Sequence, residues 1–503
     1  MAASSRPNII LGPPGTGKTT TLMNIVEALI EKGVKPDEIG FISFTKKATT
    51  EARDKARARF GFEADAMPFF RTIHSLAFRQ LGLSRQQVMQ HNHYQEMCDE
   101  LGLEITGRQT GEDGTLVGMA QGDKLRFVEG MARIRCVPLK QQWEELNDDD
   151  LGWFELEQFS KSLKEYKDNT GLIDYTDMLE LMRSEGHVPK LKALLVDEAQ
   201  DLSKLQWLVV ERMMEKADEI YIAGDDDQAI FRWAGADVDH FIALDGNVRV
   251  LDQSYRIPSV VHDLSFDIIR SVSRRREKVF RPAEHRGSIT YHHDIEHVDM
   301  SQGAWLLLAR NVYMLRELVD LCHREGYAYE CQGFSPRKSE ALLAIRYWER
   351  LRKGEFIPAN QAKLVYAHMS KAMVGHGYLG LKTLTEDMVN ITMLHEKYGL
   401  QTMSIWHIAL DRISDEEKEY FLAALRQGES LSSGDARITI STIHGSKGGE
   451  ADNVLLITDI SPKTYDGYQE NQDDELRVFY VAATRTKKNL HIITPRTQRY
   501  FDL

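Results

Sequence analysis

The chain has 503 residues, of which 42% are hydrophobic and 28% are charged. At about 150 residues per domain this length corresponds to about three structural units, and the composition is that of a globular protein rather than a disordered one. A net charge of −13 argues against a surface that is basic throughout, but leaves room for a local basic channel. No apolar run approaches the ~20 residues that span a bilayer. No membrane partner is therefore expected. The four cysteines form neither a CxxC pair nor a zinc spacing, which predicts an intracellular, reduced and zinc-free protein.

The first motif along the chain is a phosphate-binding loop. The apolar run Asn8–Leu11 precedes a full match to G-x-x-x-x-G-K-[ST], and apolar residues then recur at helical spacing as far as Gly33. The residues predicted to bind a nucleotide are Gly12, Pro13, Pro14, Gly15, Thr16, Gly17, Lys18, Thr19 and Thr20. Lys18 is expected to reach the β- and γ-phosphates, and the Thr19 hydroxyl to bind Mg²⁺. The alternative is an ordinary glycine and proline turn before a helix.

Two adjacent carboxylates follow an apolar run further along the chain. Ala193–Val196 predicts a buried strand, and Asp197 and Glu198 come directly after it. Asp197 is expected to hold Mg²⁺ through water, while Glu198 polarises the attacking water. A nucleotide kinase does not need the second carboxylate, so the pair predicts an NTP hydrolase. The alternative is a strand that ends in a solvated acidic turn.

A third predicted strand, Glu219–Ala223, leads into Gly224 and the acidic run Asp225–Asp227. Gln228, which follows, can sense or orient the γ-phosphate side of a nucleotide. Taken alone, the three aspartates are more typical of a solvated turn. The basic stretch Arg274–Arg276 with Lys278 is as typical of a solvated helix face as of a DNA-binding channel.

These three motifs, in this order, resemble those of the superfamily-one helicases, specifically the UvrD/Rep/PcrA group. Further segments resemble the remaining motifs of the family, namely Phe44–Ala48, Thr72–Leu76, Gly171–Tyr175, Ala229–Ala236, Gln253–Arg256, Ser441–Glu450 and Glu475–Arg485. The resemblance implies two RecA-like domains with ATP in the cleft between them. An α/β fold is therefore expected, with two parallel-sheet P-loop NTPase domains and a mainly helical insertion in each.

The resemblance also implies roles around the nucleotide. Arg256 and Arg485 would act as arginine fingers that stabilise transition-state charge. Tyr255 would stack on the adenine, and Glu450 would bind the ribose. Without the motifs, each arginine would be interpreted as an exposed surface residue and the tyrosine as a core or interface residue.

DNA contacts that do not depend on base sequence are implied as well. Trp233 is a candidate stacking platform, and Phe44 is a second; one stacked base is worth ~1–3 kcal/mol. Thr45, His74 and His444 would contact the DNA backbone or couple it to the ATP site, the alternative for each histidine being a structural role. Single-stranded DNA and single-strand/double-strand junctions are the expected partners.

The domain boundaries follow from the order of the motifs. The first motor domain is predicted over 1–80 and 171–247 with its insertion over 81–170, and the second over 248–334 and 436–503 with its insertion over 335–435. One amphipathic helix of the first insertion is predicted from Leu151, Phe154, Leu156, Phe159, Leu163 and Tyr166.

The sequence thus predicts an ATP hydrolase that is stimulated by single-stranded DNA, moves 3′→5′ along it with ATP and Mg²⁺, and unwinds duplex. Its expected location is the cytoplasm of a bacterial or phage-infected cell. Pro495–Leu503 would be only the start of the family's strand-separating hairpin, so translocation is better supported than unwinding. The alternatives are a translocase that strips proteins from DNA without unwinding, and a non-motor, ATP-gated DNA-binding or loading factor.

Overall fold

The chain forms two compact units. The computed structural model describes residues 6–43, 46–61, 64–107, 116, 119–146, 150–375, 386–429 and 436–503. The first unit comprises Met1–Ser288, Ile460–Lys488 and Arg499–Leu503, and the second comprises Ile289–Asp459 and Asn489–Gln498. The division into two motor domains and two insertions stays a prediction.

Parallel strands and helices alternate along most of the chain. The strands are β1 Asn8–Leu11, β2 Ile39–Ser43, β3 Phe70–Thr72, β4 Leu191–Asp197, β5 Ala217–Gly224, β6 Asn247–Val250, β7 Ser288–His292, β8 Trp305–Ala309, β9 Tyr329–Cys331, β10 Ile357–Pro358, β11 Met388–Val389, β12 Ile438–Thr442, β13 Ala451–Ile457 and β14 Thr486–Ile493. The helices are α1 Lys18–Glu31, α2 Lys46–Phe60, α3 Ile73–Gln80, α4 His91–Glu100, α5 Gln121–Ile134, α6 Leu139–Leu146, α7 Trp153–Thr170, α8 Tyr175–Ser184, α9 Lys204–Met214, α10 Val238–Ala243, α11 Ser259–Ile269, α12 Leu315–Glu325, α13 Glu340–Arg352, α14 Ala359–Ala367, α15 Lys371–Val374, α16 Ile391–Lys397, α17 Trp406–Ala409, α18 Asp415–Arg426, α19 Pro462–Glu470 and α20 Gln472–Ala483.

The first unit is built on a parallel sheet with the strand order β3-β2-β4-β5-β1-β6. Alternate residues of a strand face opposite sides of a sheet. Accordingly, Ile9 of β1 packs in the core on one side and Ile10 in the core on the other. Because parallel strands end at the same edge, the segments that follow β1, β4 and β5 lie side by side. The strands predicted at 8–11, 193–196 and 219–223 are confirmed.

The segment between α3 and α8 contributes a helical core of its own. Leu156, Phe159 and Leu163 of α7 are buried in it, as the apolar spacing predicted. The prediction was wrong for Phe154, whose side chain is 76% exposed. Phe154 lies two residues before Leu156, about 200° away around a helix, so it points away from the buried face.

An ion cluster connects this helical segment to α8. Arg133 of α5 donates hydrogen bonds to Asp174 and Glu180, each at 2.8 Å, and also contacts Asp177. Lys167 of α7 lies 3.0 Å from Asp174 and 2.9 Å from Asp177. Three helices are thereby joined through charges that are largely buried.

Replacing Arg133 with methionine is expected to lower the free energy of unfolding by about 3–5 kcal/mol, because it leaves buried carboxylates without their main partner. Chemical denaturation would measure this. Lys164→Met, which removes an exposed pair with Asp168, is the control and should leave stability unchanged. Equal stability of the two variants would contradict the bridging role of Arg133.

The second unit is built on a sheet with the strand order β7-β14-β13-β8-β12-β9. The strand β8 pairs in parallel with both β12 and β13, and β12 pairs in parallel with β9. The apolar run of β8 is buried throughout, and its Leu307 packs with Ile440 and Leu455 of the neighbouring strands. A short antiparallel ribbon, β10–β11, accompanies the helices of this unit. Among the described residues, no helix has both the length and the hydropathy needed to cross a membrane.

Candidate nucleotide site

The phosphate loop joins the end of β1 to the start of α1. Gly15 and Gly17 have φ angles of 74° and 82°, in the left-handed region that glycine adopts without strain. A Cβ atom on Gly12 would lie 2.0 Å from Cγ of Lys18, so only glycine fits beside that side chain. The Lys18 ammonium donates to the Gly12 carbonyl at 2.9 Å and lies 3.8 Å from Oε1 of Glu198. This loop therefore has the backbone and the buried ammonium that phosphate binding requires.

Asp197 lies at the carboxyl end of β4, facing the start of α1. Its Oδ2 accepts a hydrogen bond of 2.9 Å from the Thr19 hydroxyl. Burial raises the pKa of Asp197, and the negative charge of Glu198 adds to this effect while Lys18 opposes it. A hydroxyl and a carboxylate side by side are hard oxygen ligands of the kind that Mg²⁺ prefers, and a cation would relieve the repulsion between the two carboxylates.

Glu198 has an unusual backbone. Its φ and ψ angles are 52° and 44°, the left-handed conformation that a residue with a side chain rarely adopts. Such strain costs of order 1–3 kcal/mol and tends to be kept where it serves a function. Here it directs the carboxylate of Glu198 toward Lys18, rather than along the course of the strand.

A turn that follows β6 lies against the phosphate loop. Ser254 donates to the Pro14 carbonyl at 2.8 Å, and the Tyr255 N–H donates to the Gly15 carbonyl at 2.9 Å. A Cβ atom on Gly15 would lie 2.4 Å from Cβ of Arg256. The turn thus places the predicted finger Arg256 beside the loop, while the Tyr255 ring is 78% exposed. Ser254 was not predicted, and a serine by itself gives no signal of this contact.

A series of hydrogen bonds connects Glu198 to the second predicted finger. Gln200 donates to Glu198 at 2.6 Å and accepts from the Asp225 N–H at 3.0 Å. Gln228 donates to Oδ2 of Asp225 at 2.7 Å, and its carbonyl oxygen accepts from Arg485 at 3.0 Å. The structure therefore brings Lys18, Thr19, Asp197 and Glu198 together on one loop and one strand end, and places Gln228 and Arg485 in direct contact.

The acidic run is a buried ion cluster, which corrects the expectation of a solvated turn. Asp225, Asp226 and Asp227 are all less than 2% exposed, and their oxygens lie close enough together to hold a metal ion. The Lys278 ammonium lies among them, 3.2 Å, 2.6 Å and 3.0 Å from the three carboxylates. Burial lowers the pKa of Lys278, but the carboxylates outweigh it and raise that pKa above its usual range. The Lys278 ammonium thus contacts all three carboxylates.

In the basic stretch after α11, three residues contact the aspartate cluster, whereas the Arg274 side chain is 58% exposed and pairs with Asp239 at 3.1 Å. Arg275 pairs with Asp227 at 2.6 Å and 2.8 Å, and the Arg276 N–H donates to Asp226 at 2.8 Å. Arg477 of α20 is buried and donates to the Asp226 carbonyl at 3.0 Å. Distant parts of the first unit therefore meet at the residues that precede Gln228.

The described candidate DNA-binding residues lie on separate elements of the fold. Phe44 and Thr45 lie outside the described residues. His74 is the second residue of α3, and its ring centroid lies 6.0 Å from that of Tyr175. Burial lowers the pKa of His74. Trp233 is half-buried in a short turn, its ring centroid 6.5 Å from that of Phe231.

The last two predicted residues belong to the second unit. His444 is buried just after β12, and Glu450 is exposed immediately before β13. Their segment contains tight turns, in which the Ser446 N–H donates to the Thr442 carbonyl at 3.0 Å. Their roles stay predictions.

The fold and the site together define a class of protein. A strand, a phosphate loop and a helix on a parallel sheet, with a carboxylate pair at a neighbouring strand end, are the features of a P-loop NTPase fold. Residues 1–249 match the model of the UvrD/REP helicase N-terminal domain, and residues 397–497 match that of the UvrD-like helicase C-terminal domain. The chain belongs to the UvrD/Rep/PcrA-like superfamily-one helicases.

Relatives share about a quarter of their aligned residues with this chain. DNA helicase II of Haemophilus influenzae is 25% identical over 302 residues, covering 55% of this chain and 40% of that protein. ATP-dependent DNA helicase PcrA of Bacillus subtilis is 24% identical over 307 residues, covering 54% of this chain and 38% of that protein. The chain therefore spans about two fifths of the length of these relatives. The Arterivirus nonstructural protein 10 helicase in complex with DNA shares 10% identity over 98% of this chain and 62% of its own, with a TM-score of 0.35, too low to support an inference.

Proposed function

We propose that the protein is an ATP-dependent DNA helicase or translocase that moves 3′→5′ on single-stranded DNA and is stimulated by it. The observation that carries the proposal is the geometry around the phosphate loop, where Lys18, Asp197 and Glu198 meet and the turn bearing Arg256 lies against Gly15. Family membership supports the DNA substrate and the direction of movement.

The proposed roles follow from charge and position. Lys18 would bind the β- and γ-phosphates, and Glu198 would take a proton from the attacking water. Arg256 and Arg485 would stabilise the charge that develops on the transferred phosphoryl group. Arg485 is held by Gln228, so the side chain that would sense the γ-phosphate and the side chain that would stabilise it are in contact.

Thr19 and Asp197 fit a magnesium ion, since they supply adjacent hard oxygens beside the phosphate loop. The ion would neutralise the phosphate oxygens of ATP. Tyr255, whose ring is exposed at the turn above the loop, would stack on the adenine, and Glu450 would bind the ribose.

The proposal is tested by steady-state ATP hydrolysis with and without single-stranded DNA, followed by strand displacement on 3′-tailed and 5′-tailed duplexes. Strong stimulation with displacement of only the 3′-tailed duplex is expected. Stimulation without displacement would favour the translocase that strips proteins, which streptavidin removal from a biotinylated strand would then report. ATP turnover that ignores DNA would contradict the motor and favour an ATP-gated binding or loading factor.

Trp233→Ala is expected to raise the DNA concentration that half-maximally stimulates hydrolysis by about tenfold, because one stacked base is worth ~1–3 kcal/mol. Turnover without DNA should not change. Trp233→Phe keeps an aromatic face and should lose less. Tyr313→Ala is the control, since Tyr313 is 63% exposed and lies outside every segment that resembles a helicase motif. Unchanged stimulation in Trp233→Ala would refute the stacking role.

A further inference from the structure

Lys278 lies outside every segment that resembles a helicase motif, yet its side chain is 1% exposed among three carboxylates. Burying an ammonium is costly, and a buried ion cluster is by itself weak evidence for stability. Such clusters are better explained by what they orient. The side chains in contact with Lys278 therefore indicate what it does.

Asp225 uses its two oxygens differently. Oδ1 lies 3.2 Å from the Lys278 ammonium and accepts from the Asp227 N–H at 3.3 Å. Oδ2 accepts from the Gln228 side-chain amide at 2.7 Å. Because an ionised carboxylate can only accept, the NH₂ group of Gln228 must face Asp225, and the carbonyl oxygen of Gln228 must face Arg485. A reversed amide would place an oxygen against a carboxylate and an NH₂ group against a guanidinium.

We propose that Lys278 is a positioning residue for ATP hydrolysis, acting through Asp225 to fix the amide of Gln228 and thereby the guanidinium of Arg485. The inference rests on the proposed function and adds to it a residue that lies outside the motifs. Asp226 provides an internal comparison. It contacts Lys278 at 2.6 Å, but its other oxygen accepts from the Arg276 N–H at 2.8 Å rather than from Gln228.

The decisive comparison is Asp225→Asn against Asp226→Asn. Each variant removes one buried negative charge beside Lys278. Only in Asp225→Asn does an NH₂ group compete with that of Gln228, which drives the Gln228 amide to reverse. For Asp225→Asn we expect kcat to fall about tenfold or more while KM for ATP changes less than about threefold, whereas Asp226→Asn should stay within about threefold of the wild type in both.

Further variants test whether Lys278 acts on kcat through Asp225 and Gln228. Lys278→Met should lose kcat in the same way, and Lys278→Arg, which keeps the charge, should recover part of it. In a Gln228→Ala background, Asp225→Asn should cause no further loss, because residues that act in series are not additive. Thermal unfolding of each variant accompanies the kinetics, and the two Asn variants decide the matter if Lys278→Met does not fold.

Equal losses in Asp225→Asn and Asp226→Asn, or a further loss in the Gln228→Ala background, would show a merely structural cluster and overturn the inference. That result differs from failure of the proposed function, in which ATP turnover of the wild-type chain would be absent or unaffected by single-stranded DNA.

Discussion

Glu198→Gln is expected to abolish measurable ATP turnover, with a loss of about 10²–10⁴-fold, which is the usual contribution of a general base. The side chain keeps its size, and its oxygen can still accept the hydrogen bond from Gln200, so the fold should be preserved. Removing the charge of Glu198 also removes one of the effects that raise the pKa of Asp197. Nucleotide binding with Mg²⁺ should therefore be retained or strengthened.

The measurement is single-turnover hydrolysis together with the affinity for a fluorescent ATP analogue. Asp218→Asn is the matched control, because it also removes a carboxylate. Asp218 is exposed near the start of β5, at the edge of the sheet away from the phosphate loop, and among the described contacts it pairs only with Lys192. It should leave turnover unchanged. Lys18→Ala should differ from both by losing nucleotide affinity as well as turnover. Turnover in Glu198→Gln close to that of the wild type would refute its role as the base.

The parts of the fold that follow from local pattern were predictable from the sequence. The run at 305–309 is apolar throughout, the run at 8–11 is apolar after Asn8, and both form parallel strands with those bounds. Gly12 of the phosphate loop is required by a steric contact only six residues away, with Lys18. Structural features that depend on neighbouring residues can therefore be predicted from a short segment of sequence.

The parts that depend on distant partners were not predictable. Three successive aspartates are usually solvated, and nothing near them in the chain shows that Lys278 reaches them from 52 positions away along the sequence. The buried Arg477 and the Asp226 carbonyl to which it donates are separated by 251 positions in the sequence. For the same reason the basic stretch Arg274–Arg276 with Lys278 is as typical of a solvated helix face as of a DNA-binding channel, although Arg275 and Lys278 pair with buried aspartates. The αL conformation of Glu198 likewise depends on the surroundings of the strand end and not on its residue type.

Arg485 is linked to Glu198 through a series of hydrogen bonds. It stands just after α20, almost fully buried, with its guanidinium on Gln228 and on the Val481 carbonyl. Gln228 follows β5, and through Asp225 and Gln200 it is linked to Glu198. A displacement of α20 would therefore change the contact of Gln228, and this series of hydrogen bonds would carry the change to Glu198.

Arg485→Ala is accordingly expected to lower kcat by about 10³-fold or more, in the range typical of arginine fingers, with ATP and DNA affinities nearly unchanged. Truncation also leaves a cavity and removes a hydrogen-bond donor from the Gln228 oxygen, so Arg485→Met, which fills more of the space, and Arg485→Lys, which keeps the charge, are measured beside it. All three should lose turnover, since neither replacement reproduces the planar fork of a guanidinium. Arg437→Met, which removes a mostly buried arginine paired with Glu429 in the second unit, is the control for the loss of such a group. If Arg485→Met folds as the wild type does and keeps turnover within about threefold, Arg485 does not act on the transition state, and its contact with Gln228 is structural.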